Sequence, residues 1–170
     1  NALVVEMTDG TAEFNAAYRE RVGFFYDLVK AAVGRIVVGL TAELSDHPVT
    51  ALAVTPGWLR SENMLANFGV TESTWRDAVE HVPGFAISES PAYVARGLAS
   101  LVADPDRARF AGQTLTARQL ADTYGVTDVD GSRPDAWGLI AAASAPGRSG
   151  AGEAAARARP PGRRRSPRRS

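Results

Sequence analysis

The chain has 170 residues, 45% hydrophobic and 22% charged, with nineteen basic residues against nineteen acidic ones, the make-up of about one globular domain. It has no cysteine, which excludes a disulfide framework and thiolate chemistry. No apolar run reaches the length of a membrane-spanning helix, and no signal peptide is visible. The zero net charge hides a split: residues 146–170 carry eight arginines and one acid, Glu153, for +7, which leaves −7 on residues 1–145.

Ala2-Leu3-Val4-Val5 is a short apolar run of the kind that forms a buried parallel strand. The chain opens at Asn1, inside that expected strand and without an initiator methionine, which reads as truncation. Residues 6–13 turn polar and include Thr8, Gly10 and Thr11; a strand end followed by a glycine-containing loop is where open α/β sheets place their ligands. Residues 14–24 form a connection that holds Asn15, Tyr18, Arg19 and Arg21. From Phe24 to Leu44 apolar residues recur at three- and four-residue spacing, which predicts a long helix, and Asp46-His47-Pro48 ends it. Gly34 and Gly39 each cost that helix about 1 kcal/mol relative to alanine.

Val49 to Val54 reads as a second strand, closed by Thr55-Pro56-Gly57. Strand, helix and strand in that order is the unit of a parallel sheet. Beyond it, Trp75, Val79 and Val82 form the apolar stripe of a short helix after Thr71. Ser90-Pro91 is a strong start for a helix carrying Tyr93, Val94, Leu98, Leu101 and Val102 on one face. Phe110 to Thr116 reads as a last short strand, Ala117 to Tyr124 as a brief helix, and the loop Asp128 to Asp135 closes the body. Residues 141–170 are Ala, Gly, Pro, Ser and Arg with almost no large apolar side chain and are expected to be disordered.

Within the long helix, Tyr26 and Lys30 are four residues apart and therefore share a face. Lys30 is the only lysine among nineteen basic residues. An ammonium beside a phenol favours the phenolate, so the pair is expected to lower the tyrosine pKa and to make Tyr26 a proton donor and acceptor. Spacing alone favours an ordinary solvated pair. His47 and His81 lack ligand-spaced partners, so no metal site is expected.

Taken together, a strand ending in a hydroxyl-bearing loop, Tyr26-x-x-x-Lys30, and a strand ending in Pro56-Gly57 precede a helix that leads to a Gly-x-x-Leu strand (Gly112, Leu115). In that order they resemble the C-terminal half of the short-chain dehydrogenase/reductase family, over roughly residues 2–137. The resemblance implies an α/β fold, the C-terminal part of a Rossmann-like doubly wound parallel sheet (β-α-β-α-β). It sets a partial domain at residues 1–140 and the basic Arg/Pro/Ala-rich tail at 141–170. It implies an oxidoreductase using NAD or NADP, with Tyr26 as general acid/base and Lys30 as the group that holds the nicotinamide ribose. Thr8 then stands nearest to the family's substrate-polarising serine, with Thr11 as the other candidate; Thr8 lies eighteen residues before Tyr26, so the loop between them is expanded. Pro56 and Gly57 match the loop that contacts the nicotinamide, and Ser61 sits where a threonine often binds the carboxamide.

The family's Gly-rich pyrophosphate turn, the residue that separates NAD from NADP and the helix with its catalytic asparagine have no counterpart here, so the cofactor site is expected to be incomplete. The implied partners are a small carbonyl or alcohol substrate and further copies of the parent protein; neither a membrane nor a nucleic acid is expected, and the setting is cytoplasmic. Trp58, Met64, Phe68 and Trp75 either line a substrate pocket or pack as core. The alternative function is a catalytically inactive product of the family whose arginine tail binds a polyanion, although a shifted or extended reading frame in a GC-rich gene also yields such a tail.

Overall fold

The computed structural model describes residues 2–20 and 22–144; the expected disorder at 145–170 falls outside them. Strand β1 spans Ala2–Met7, two residues beyond the apolar run. The polar connection contains a short helix α1, Ala12–Asn15, capped by the Thr11 hydroxyl, which accepts the Phe14 N–H at 3.2 Å. Helix α2 covers Phe24–Glu43, and β2 follows at Val49–Thr55. Ser61 caps α3, Glu62–Asn67, by accepting the Met64 N–H at 3.3 Å. Two 3₁₀ turns, Trp75–Glu80 and Pro83–Ile87, lead to α4, Pro91–Ala103. A further 3₁₀ turn, Arg107–Phe110, precedes β3, Thr114–Thr116. Helix α5, Ala117–Tyr124, starts with a capping box of Thr116 and Gln119, and α6 spans Ala136–Ser144. The stretch read as tail from 141 therefore begins as the last turn of α6.

All strand pairs are parallel, in the order β1-β2-β3, with Ala2 opposite Val49 and Ala53 opposite Thr114. Such pairing needs crossovers, which α2 and α4 supply. The central strand shows why helices cover both faces. Side chains alternate along a strand, so Ala53 packs on Val33 and Val37 of α2, while Leu52 and Val54 join Tyr93, Val94, Leu101, Leu115 and Leu120 in the larger core under α4 and α5. Gly97 lets these two helices approach: a Cβ there would stand 2.8 Å from that of Leu120.

The segment between β2 and α4 has its own core. Phe85 is fully buried and meets Trp58, Phe68 and Trp75 edge-on at centroid distances of 5.4, 4.8 and 6.0 Å. These aromatics pack on one another, and Trp75 also borders a surface cavity with Val79 and Ser88. A parallel bridge between Leu59 and Glu89 joins this unit to the rest. By contrast, α2 buries only Val33 and Val37; Phe25 is 79% exposed and Val29 60% exposed. Among the described residues no helix is long and apolar enough to cross a membrane, and no cluster of three potential metal ligands occurs.

Candidate active site

Parallel strands bring their carboxyl ends to the same edge, so the loops after β1 and β2 are neighbours. One hydroxyl joins them: Thr55 Oγ1 accepts the Gly10 N–H at 3.0 Å. Trp137 of α6 closes the group from the side, donating its indole N–H to the Pro56 carbonyl at 2.8 Å with its ring 5.1 Å from that of Phe14.

Thr8 is buried where β1 runs out. Its hydroxyl donates to the Lys30 carbonyl at 3.0 Å, which pins the first turns of α2 to the strand end. Thr11 is occupied as the cap of α1. Tyr26 and Lys30 are one turn apart on α2 as their spacing requires, and the Lys30 ammonium stands 5.7 Å from the Tyr26 ring centroid. It makes no ion pair among the described residues. Pro56 and Gly57 leave the end of β2. Ser61 lies farther on, with its hydroxyl oxygen accepting at the α3 cap. Thr8, Tyr26 and Lys30 are thus drawn together, Pro56 and Gly57 are tied to the neighbouring loop, and Ser61 belongs to the next element.

Asp9 and Arg19 complete the surroundings of Tyr26, and neither was assigned a role from sequence. The Tyr26 hydroxyl donates to Asp9 Oδ2 at 2.9 Å. Arg19 reaches the same oxygen at 3.2 Å and Asp27 Oδ1 at 3.2 Å, and its guanidinium lies 5.6 Å from the Tyr26 ring centroid. This arrangement corrects the expected acidification of Tyr26. Although the residue is 45% exposed, its phenol is pushed up to about 12, by partial burial first, then by the Asp9 charge and the hydrogen bond to it, against a smaller lowering by Arg19. The carboxylate touches the hydroxyl, whereas Lys30 faces the ring. Only the Thr8-Asp9 step at the strand end offered a sequence signal for this contact.

Beneath the second loop is a buried polar group that sequence reasoning also missed. Glu89, Asp128 and Arg60 are 1%, 2% and 3% exposed. Asp128 accepts the Ser90 N–H at 2.8 Å and the Ser90 hydroxyl, while Arg60 spans Glu72 at 3.0 Å and Asp128 at 3.5 Å. A Ser-Glu-Ser-Pro run at a helix start reads as capping chemistry, and nothing local marks its glutamate as interior.

No family model matches the chain. A mouse protein (Mus musculus) named dehydrogenase/reductase SDR family member 1 is 32% identical over 108 residues, which is 62% of this chain and 34% of the relative. The human protein (Homo sapiens) of the same name is 28% identical over 108 residues with the same coverage. Over this span the chain is similar to these members of the short-chain dehydrogenase/reductase family. It spans about a third of the length of the curated relatives it matches. The parallel β-α-β-α-β order with helices on both faces agrees with the expected part of a Rossmann-like sheet.

Proposed function

We propose that this chain is part of an NAD(P)-dependent oxidoreductase of the short-chain dehydrogenase/reductase type, acting on a small carbonyl or alcohol substrate. The observation that carries the reading is the grouping at one sheet edge: Tyr26 and Lys30 one turn apart, Thr8 bonded beneath them, and the Pro56-Gly57 loop tied to the same strand end through Thr55. The residues present suit a dinucleotide. Lys30 offers an ammonium without an ion-pair partner among the described residues for ribose hydroxyls, and Gly57 exposes backbone beside the strand end. In this reading the rest of the cofactor site lies outside the chain.

A bound nicotinamide supplies or accepts hydride. Tyr26 moves the proton at the substrate oxygen. With its phenol raised to about 12, it stands protonated at neutral pH, ready to donate as a carbonyl is reduced. Working in the oxidative direction requires Asp9 to withdraw or Lys30 to shift toward the hydroxyl. Thr8 positions α2 through the Lys30 carbonyl; polarising a substrate oxygen requires its hydroxyl to turn away from that bond. Ser61, if it meets the carboxamide, does so while its oxygen still caps α3.

The test is Tyr26→Phe in the full-length protein that contains this chain. Turnover is expected to fall by about 10²–10⁴, and near-normal turnover overturns the assignment. A second reading, an inactive product, is favoured by the exposed apolar face of α2. In this reading the 170-residue chain alone gives no saturable fluorescence change with NADPH, and clear saturation counts against it. The same face supports a homo-oligomeric parent.

A further inference from the structure

Glu89 approaches the cofactor loop from inside the protein. Its backbone is fixed by two bonds, its N–H to the Trp58 carbonyl at 2.9 Å and its carbonyl from the Arg60 N–H at 2.8 Å. Its carboxylate lies against the Gly57 backbone, whose N–H favours the ionised form. The fit is close: a Cβ at Gly57 would stand 2.8 Å from Glu89 Oε2 and 2.9 Å from the Ala136 Cβ. The other oxygen, Oε1, is buried and has no hydrogen-bond partner.

The charged groups around it do not neutralise it. Arg60, from the segment before α3, spends its donors on Glu72, the Ser88 carbonyl and Asp128. Asp128, from the loop after α5, adds a like charge and is held by Ser90. Tyr93, from α4, is fully buried with an unpartnered hydroxyl, and it faces Arg118 and Asp122 of α5 and Arg133. Burial, reinforced by Asp128 and opposed by the Gly57 N–H and Arg60, raises the Glu89 carboxyl to about 7.

We propose that Glu89 is a positioning residue for the dinucleotide: its carboxylate, lying against the Gly57 N–H, sets the Pro56-Gly57 loop, and gaining a proton loosens it. The inference rests on the reading that this loop meets the nicotinamide. A charge-assisted hydrogen bond is roughly twice as strong as a neutral one, so protonation weakens the hold of Glu89 on Gly57. Loop geometry, and with it dinucleotide affinity, then changes across neutral pH.

Trp137 reports on the loop directly, since its indole N–H is bonded to Pro56. In ¹⁵N–¹H spectra of the 170-residue chain taken from about pH 5.5 to about pH 8.5, the Trp137 indole and Gly57 amide signals are expected to titrate together with a midpoint near 7. In Glu89→Gln both should stay flat. If they titrate as before in Glu89→Gln, or not at all in the native chain, the proposal is overturned. Should the variant fail to fold, ¹³C-labelled glutamate in the native chain decides: a Glu89 carboxyl that titrates near the ordinary 4.5 overturns it.

In the full-length protein, NADPH affinity should weaken about tenfold from pH 8 to pH 6 and by less than about twofold in Glu89→Gln. An equal pH dependence in both proteins refutes the positioning role. No NADPH binding at any pH, with the loop titration intact, sinks the oxidoreductase reading and the link to the cofactor, while the Glu89–loop coupling stands.

Discussion

Truncating Phe85 to alanine should separate the unit between β2 and α4 from the rest of the domain. Phe85 is fully buried and is the ring against which Trp58, Phe68 and Trp75 all pack edge-on. Removing a buried phenylalanine costs about 3–5 kcal/mol, of which each aromatic pair accounts for about 0.5–1.5. The loss falls on a small cluster completed by Leu65 and Ala78, not on the larger core beneath α4 and α5. Because a whole domain holds only about 5–15 kcal/mol, the unit should open first. Urea unfolding of Phe85→Ala, followed by tryptophan fluorescence, should show a transition weakened by about 3–5 kcal/mol that precedes the loss of far-ultraviolet circular dichroism; in the native chain the two should coincide. Coincident transitions with a loss below about 1 kcal/mol would refute the reasoning and restore the reading in which these aromatics line a pocket.

Glu89 also predicts a stability profile. Its folded pKa, about 7, lies above the ordinary 4.5, so between those values the folded state binds more protons than the unfolded one and stability falls as pH rises. The fall should approach about 3 kcal/mol at most in urea melts from pH 4.5 to pH 8 and should vanish in Glu89→Gln; an unchanged slope in the variant would exclude Glu89 as its source. At the other loop, Asp9→Asn removes a charge that raises the Tyr26 phenol, so its pKa should drop from about 12 toward 10. A ¹³C titration of labelled tyrosine measures this, and an unmoved Tyr26 would mean that burial alone sets the shift.

The frame of the domain was legible wherever periodicity runs long. Phe24 to Leu44 predicts α2 to within one residue, Val49 to Val54 extends by Thr55 alone, and Ala117 to Tyr124 coincides with α5. Short elements were not. Helix α1 is four residues inside a polar connection, too brief for a repeat to emerge. Strand β3 shrank to Thr114–Thr116 because Arg107–Phe110 coils and Gly112 adopts a φ of 76°. Helix α6 was hidden by small-residue composition, although Ala136 and Trp137 anchor it against the Pro56-Gly57 loop.

The site divides along the same line. Tyr26 and Lys30 share a helix, so their spacing carries their proximity. Asp9 reaches the tyrosine from another element, and Glu89 reaches Gly57 across 32 positions, contacts that no local pattern encodes. The sign of the Tyr26 shift went wrong because only Lys30, one turn away, was weighed, whereas partial burial first and then Asp9 at the hydroxyl set it.

Thr55 has a consequence for any attempt to exchange one of these loops. Its hydroxyl accepts from Gly10 and donates to the Pro56 carbonyl at 3.2 Å, so a single oxygen is shared by two segments that are 45 residues apart. Grafting a new turn after β2 without a hydroxyl at position 55 strands the buried Gly10 N–H, an error of about 1–3 kcal/mol that would appear in the loop after β1. The two loops are therefore not independent modules, and a transplant that respects this architecture carries Thr55 with either of them.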